Sequence, residues 1–66
     1  MDEKWVSVDE LCEHLGIVKE TVYRWIKNKP TFPAHKVGKF WKFKLSEVDD
    51  WIRRGEAGSD ETKNVH

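Results

Sequence analysis

The residues of this chain best suited to recognition stand in two short runs. Lys19, Glu20, Thr21, Tyr23, Arg24 and Lys27 fall within nine positions, and Lys36, Lys39, Phe40 and Lys42 within seven. They hold no nucleophile beside a base, so they do not read as a bond-breaking set. Cys12, His14, His35 and His66 have no metal-ligand spacing. What the two runs offer is charge and directional hydrogen bonding. A guanidinium donates two parallel hydrogen bonds to a planar edge, a carboxylate accepts from an amino group, and an ammonium meets an anion as a point charge.

Charge is distributed in a way that selects among possible ligands. The chain carries 12 basic and 12 acidic residues and has no formal net charge. Residues 1–18 hold Lys4 against five acids, a net of −4; residues 19–44 hold eight basic residues against Glu20 alone, a net of +7; residues 45–66 hold three basic residues against six acids, a net of −3. A basic centre between acidic ends suits a polyanion bound on one face. Against the edges of duplex DNA, Arg24 suits guanine, Glu20 the amino group of cytosine, and Thr21 the thymine methyl. Lys19 and Lys27 suit phosphates, which position without specifying, and Tyr23 divides its surface between the core and a phosphate.

These side chains need elements to hold them. Ser7 and Glu10 form a capping box ahead of Val8, Leu11, Cys12 and Leu15, whose spacing places one apolar stripe on a helix over residues 8–15. Asp9 and Glu10 suit the positive end of its dipole. Gly16 ends that helix. After a short apolar turn, a second helix runs from Lys19 to Lys27 and turns Val22, Trp25 and Ile26 inward. Val18 offers this helix no polar cap. Asn28 is expected to take the left-handed closing conformation, with Pro30 preventing continuation.

Two short segments then alternate apolar and basic residues, His35-Lys36-Val37 and Trp41-Lys42-Phe43. Gly38-Lys39-Phe40 is the expected hairpin loop between them. This places Val37, Trp41 and Phe43 on one face and Lys36, Lys42 and Lys44 on the other. Phe40 at the tip is too far out for the core and reads as an exposed wedge or a stacking group. Ser46 is the expected cap of a third helix, which buries Val48, Trp51 and Ile52 and stops at Gly55. The expected core is Trp5 or Val6, Val8, Leu11, Leu15, Ile17, Val22, Trp25, Ile26, Val37, Trp41, Phe43, Val48, Trp51 and Ile52.

With 66 residues the chain makes one small domain, here residues 1–54. Residues 55–66 lack periodicity and read as a disordered tail. A single cysteine excludes an internal disulfide scaffold, no run is long enough to span a membrane, and Met1-Asp2-Glu3-Lys4 does not open a signal peptide; the cytoplasm is the expected compartment.

The ordered series Gly16-Ile17-Val18-Lys19-Glu20-Thr21-Val22-Tyr23-Arg24-Trp25-Ile26, Phe32-Pro33-Ala34, Lys36-Val37-Gly38-Lys39, Trp41-Lys42-Phe43 and Asp50-Trp51-Ile52 resembles the excisionase-type helix-turn-helix family. That family is related to the DNA-binding domain of MerR-like regulators, and the resemblance covers residues 5–54. It implies a mainly α winged helix-turn-helix with a small β-hairpin, in the order helix, turn, helix, hairpin, helix. It also implies sequence-specific double-stranded DNA binding by an excisionase-like or transcription-regulatory protein of a mobile element, with no cofactor, metal or catalytic step. Lys19, Glu20, Thr21, Tyr23, Arg24 and Lys27 would then lie on the helix in the major groove, and Lys36, Lys39 and Lys42 on the wing. A recombinase, or a second copy on tandem sites, is the further partner such a protein would take. The contrasting expectation is a protein-interaction adaptor on the same fold, with Phe40 and the acidic ends as its contact surface.

Overall fold

The computed structural model describes residues 3–57. Its elements follow the order α1 (Val8–Leu15), α2 (Lys19–Asn28), β1 (His35–Val37), β2 (Phe40–Lys42) and α3 (Leu45–Arg53). This is a mainly helical winged helix-turn-helix.

Helix α1 begins with the full capping box. The Glu10 N–H donates to Ser7 Oγ at 3.2 Å, and the Ser7 N–H donates to Glu10 Oε1 at 2.9 Å. Gly16 closes the helix at φ +71°, a conformation that costs glycine nothing and other residues a steric clash. Helix α2 starts from an extended Val18 with no side-chain cap and runs through Asn28. Asn28 therefore does not take the expected left-handed conformation; among the described residues only glycines have positive φ. The closing residue is Lys29, extended at φ −118° and ψ 95°. It immediately precedes Pro30, whose ring disfavours the helical region for its neighbour, so proline alone ends the helix.

The hairpin also departs from the expected register. Val37 pairs with Phe40, Lys36 with Trp41, and His35 with Lys42, so the loop is the two residues Gly38-Lys39. Gly38 takes φ +65° at the first central position, where a type II′ turn requires glycine. Directly opposed residues share a face, so the shorter loop puts Val37 beside Phe40 and Lys36 beside Trp41. Val37 is accordingly 54% exposed and outside the core, not stacked with Trp41 and Phe43.

Helix α3 begins one residue before the expected Ser46 cap. Lys44 holds the cap position without a side-chain bond. The terminal donors are satisfied from elsewhere in the chain: the Glu3 carboxylate accepts the Ser46 N–H at 2.9 Å and also the Ser46 hydroxyl. A carboxylate there suits the positive end of the helix dipole. The same N-terminal segment is fixed by a two-way backbone bridge between Val6 and Phe43, at 2.8 and 3.0 Å. Alternation along that extended segment buries Val6 and leaves Trp5 43% exposed.

Trp51, Phe43, Leu11, Val22 and Val48 are fully enclosed. Around them, Trp25, Phe32 and Trp51 pack with ring centroids 4.8–5.4 Å apart in edge or tilted geometry, the arrangement favoured by aromatic quadrupoles. Phe32 lies between Pro30 and Pro33, where no periodicity reveals which way a side chain turns. At the other end, Gly55 reverses the chain and Ala57 is buried. Thr31 Oγ1 accepts from Trp51 Nε1 at 2.9 Å and donates to the Glu56 carboxylate, and Lys29 Nζ reaches the Glu56 carbonyl at 3.3 Å. Folded structure thus continues past Gly55 to Ala57; the remainder of the expected tail lies outside the described residues.

Candidate nucleic-acid interface

Helix α1 braces α2, and the inward stripe of α2 fixes what its other side presents. With Val22 and Trp25 buried and Ile26 half-buried, Lys19, Glu20, Tyr23, Arg24 and Lys27 are all exposed, and Thr21 is half-buried. Positions three, four and seven apart share a helix face, and with Lys27 seven residues from Glu20 these residues form two adjacent rows. Lys19 and Tyr23 make one; Glu20, Arg24 and Lys27 make the other.

The first row faces the hairpin across a cleft of about 380 Å³. From α2 the cleft takes Lys19 and Tyr23, from the hairpin Lys39, Phe40, Trp41 and Lys42, and from the start of α1 Ser7, Val8 and Asp9. Residues well separated in the chain are thus brought together. The cleft is apolar along Val8 and Trp41, with three ammonium groups at its edges. Glu20, Thr21, Arg24 and Lys27 do not line it and lie on the further flank of α2. Lys36 lies outside it as well, with its Nζ 4.7 Å from the Trp41 ring centroid.

One acid enters this basic surface. Asp9 Oδ1 lies 3.2 Å from Lys19 Nζ, and this hydrogen bond, with the charge behind it, holds the Lys19 pKa above its ordinary value. In the sequence Asp9 reads only as a first-turn acid suited to the dipole of α1; its meeting with Lys19 depends on how the two helices pack. Trp41, expected wholly in the core, is half-buried and contributes the cleft wall. Two of the eight central cations are turned to structural uses: Lys29 binds the Glu56 carbonyl, and Lys44 Nζ sits 4.6 Å from the Trp5 ring centroid. Glu3, Glu10 and Glu13 line a separate groove with Lys4, Val6, His14 and Leu45, so three of the acids of the N-terminal segment stand apart from the basic cleft, which Asp9 alone of that segment's described acids enters.

Among the described residues, no cluster of three His, Cys, Asp or Glu side chains is placed to hold a metal ion. Cys12 packs against the core, and burial pushes its thiol pKa up, away from the nucleophilic thiolate. No helix among the described residues is long and apolar enough to cross a membrane.

Comparison with curated proteins and with solved structures finds no match. The profile of a helix-turn-helix domain family, a DNA-binding family of the excisionase type, matches residues 5–56. That span takes in α1, α2, the hairpin, α3 and the Glu56 contact, so on the extent of the match and the agreement of its elements the chain belongs to this helix-turn-helix family.

Proposed function

We propose that this chain is a sequence-specific double-stranded DNA-binding protein, excisionase-like or transcription-regulatory, that acts without catalysis or cofactor. The observation that carries the reading is the cleft in which Lys19 and Tyr23 of α2 meet Lys39, Phe40 and Lys42 of the hairpin. A major groove about 12 Å wide admits the exposed side of α2, and the phosphate strand beside that groove would run through the cleft. Arg24 reads guanine, Glu20 accepts from cytosine, and the half-buried Thr21 offers its methyl to thymine. Lys19, Lys27 and Tyr23 hold phosphates. Lys36, Lys39 and Lys42 make the hairpin a wing on the backbone. The binding unit is the folded domain that runs through Ala57, in the cytoplasm. A single module of this size gains affinity from a second copy on a tandem site or from a recombinase bound alongside.

Titration with a short random duplex at low salt, followed through backbone amide shifts, tests the reading. Shifts are expected in residues 19–29 and 36–44, with residues 7–9 of the cleft following them. With five lysines at phosphates, log K should fall against log salt with a slope of about −4.5. Shifts absent, or confined to α1 and α3, would overturn it and turn the fold to protein recognition.

A further inference from the structure

We infer that the hairpin tip is an apolar wedge that enters a base step of duplex DNA and kinks it. The inference rests on the duplex-binding reading above and adds to it what the tip does to the DNA. The register places Val37 directly opposite Phe40, beside the two-residue turn. Both are more than half exposed, Val37 at 54% and Phe40 at 63%. Neither belongs to the core nor to the partly buried residues packed against it. The turn itself requires glycine at its first position and no aromatic beside it; the cross-strand pair steadies the hairpin, yet it leaves both side chains more than half open to solvent.

Its surroundings identify the occupant. Lys36, Lys39 and Lys42 belong to the same eight-residue hairpin, and Lys39, Phe40 and Lys42 line the cleft shared with α2. An apolar point flanked by ammonium groups is complementary to a duplex groove, which has phosphates at its rims and, between the base edges of its floor, stacked apolar faces that a wedge can part. The ring is not placed as an open stacking platform. Lys42 Nζ lies over the Phe40 ring, 6.0 Å from its centroid, and Val37 stands beside it. Phe40 therefore leads with its edge, and the pair parts a base step instead of extending a stack. Such a wedge works through apolar bulk, so leucine serves where alanine does not.

The test compares two duplexes of about 20 base pairs at low salt. One is fully paired with a central pyrimidine–purine step, and the other carries a one-nucleotide bulge at that step. The bulge has already lost its stacking, so the wild-type protein should bind it roughly tenfold more tightly than the paired duplex. Phe40→Leu should keep that preference. The double variant Val37→Ala/Phe40→Ala should lose it while remaining folded and melting within about ten degrees of the wild type. Equal wild-type affinity for both duplexes, or a preference that survives in the double variant, would overturn the wedge and leave duplex binding standing. Failure of the wild type to bind either duplex would overturn duplex binding and the wedge with it.

Discussion

Asp9 and Lys19 are both more than half exposed, and exposed pairs of this kind contribute under about 1 kcal/mol to stability. The weight of Asp9 falls instead on binding. It places a negative charge inside a cleft whose other charged groups are Lys19, Lys39 and Lys42, and a phosphate must displace it from Lys19. Asp9→Asn should therefore strengthen duplex binding several-fold at low salt, steepen the salt slope by up to about one, and leave the melting temperature nearly unchanged, all read by anisotropy titration and thermal melts. Weaker binding would show that Asp9 positions Lys19 for its phosphate. Arg24 and Lys39 make a second contrast. On the proposed geometry, Arg24→Ala relaxes preference at one base pair at a cost of about 1–3 kcal/mol, whereas Lys39→Ala weakens all sequences alike and lowers the salt slope by about one. Binding to a panel of single-base variants separates the two; an equal loss across the panel for Arg24→Ala would place its guanidinium on phosphate.

Among the elements, α2 is the one whose start is left incomplete. Val18 holds the cap position in extended geometry, 64% exposed, with no oxygen to offer the first turn. Val18→Ser needs no backbone change and should stabilise the fold by about 1 kcal/mol in denaturant titration. No gain would show that water already satisfies the first-turn N–H groups as well as a serine hydroxyl would. This gap was legible in the sequence, as were the capping box of α1, the reversal at Gly16 and the exposure of Lys19, Glu20, Tyr23, Arg24 and Lys27. Each depends on interactions three or four residues apart, the range over which helical spacing is informative. What was not legible depends on distant partners or on a single residue of register. Ser46 has the chemistry of a cap, yet Glu3 supplies the carboxylate, and no local pattern links positions 43 apart. The hairpin strands are three residues long, too short for alternation to choose between a two- and a three-residue loop. That choice moved Val37 out of the core and set it beside Phe40, and so formed the tip on which the proposed distortion of DNA depends.

At the scale of the whole molecule, two carboxylates join the ends of the described chain to distant segments and a third closes the box that opens α1, and their protonation sets how the fold meets acid. Glu3 is held below its ordinary value of 4.5 first by the Ser46 hydroxyl and then by the Ser46 N–H, fastening the N-terminal segment to α3. Glu10 is held below it chiefly by the Ser7 N–H, within the box that opens α1. Glu56 is held below it first by the Thr31 hydroxyl and then by Arg54, fastening the turn after α3 to the segment after α2. A carboxyl that is more acidic folded than unfolded binds fewer protons in the folded state, so stability rises with pH across the interval between the two values. The contribution is complete above the ordinary value of 4.5 and is lost as pH falls through the lowered folded values. Thermal stability, as far as these three groups set it, should be level between neutral pH and about 5.5 and decline below 4.5. Glu3→Gln/Glu56→Gln should be less stable at pH 7 and show a shallower acid decline, because two of the three groups that drive it are gone. A double variant with an unaltered acid profile would move the cause away from the chain ends. Since neither substitution touches α2 or the hairpin, duplex affinity at pH 7 should persist in the folded fraction, which keeps the acid response of the fold separable from the chemistry of the cleft.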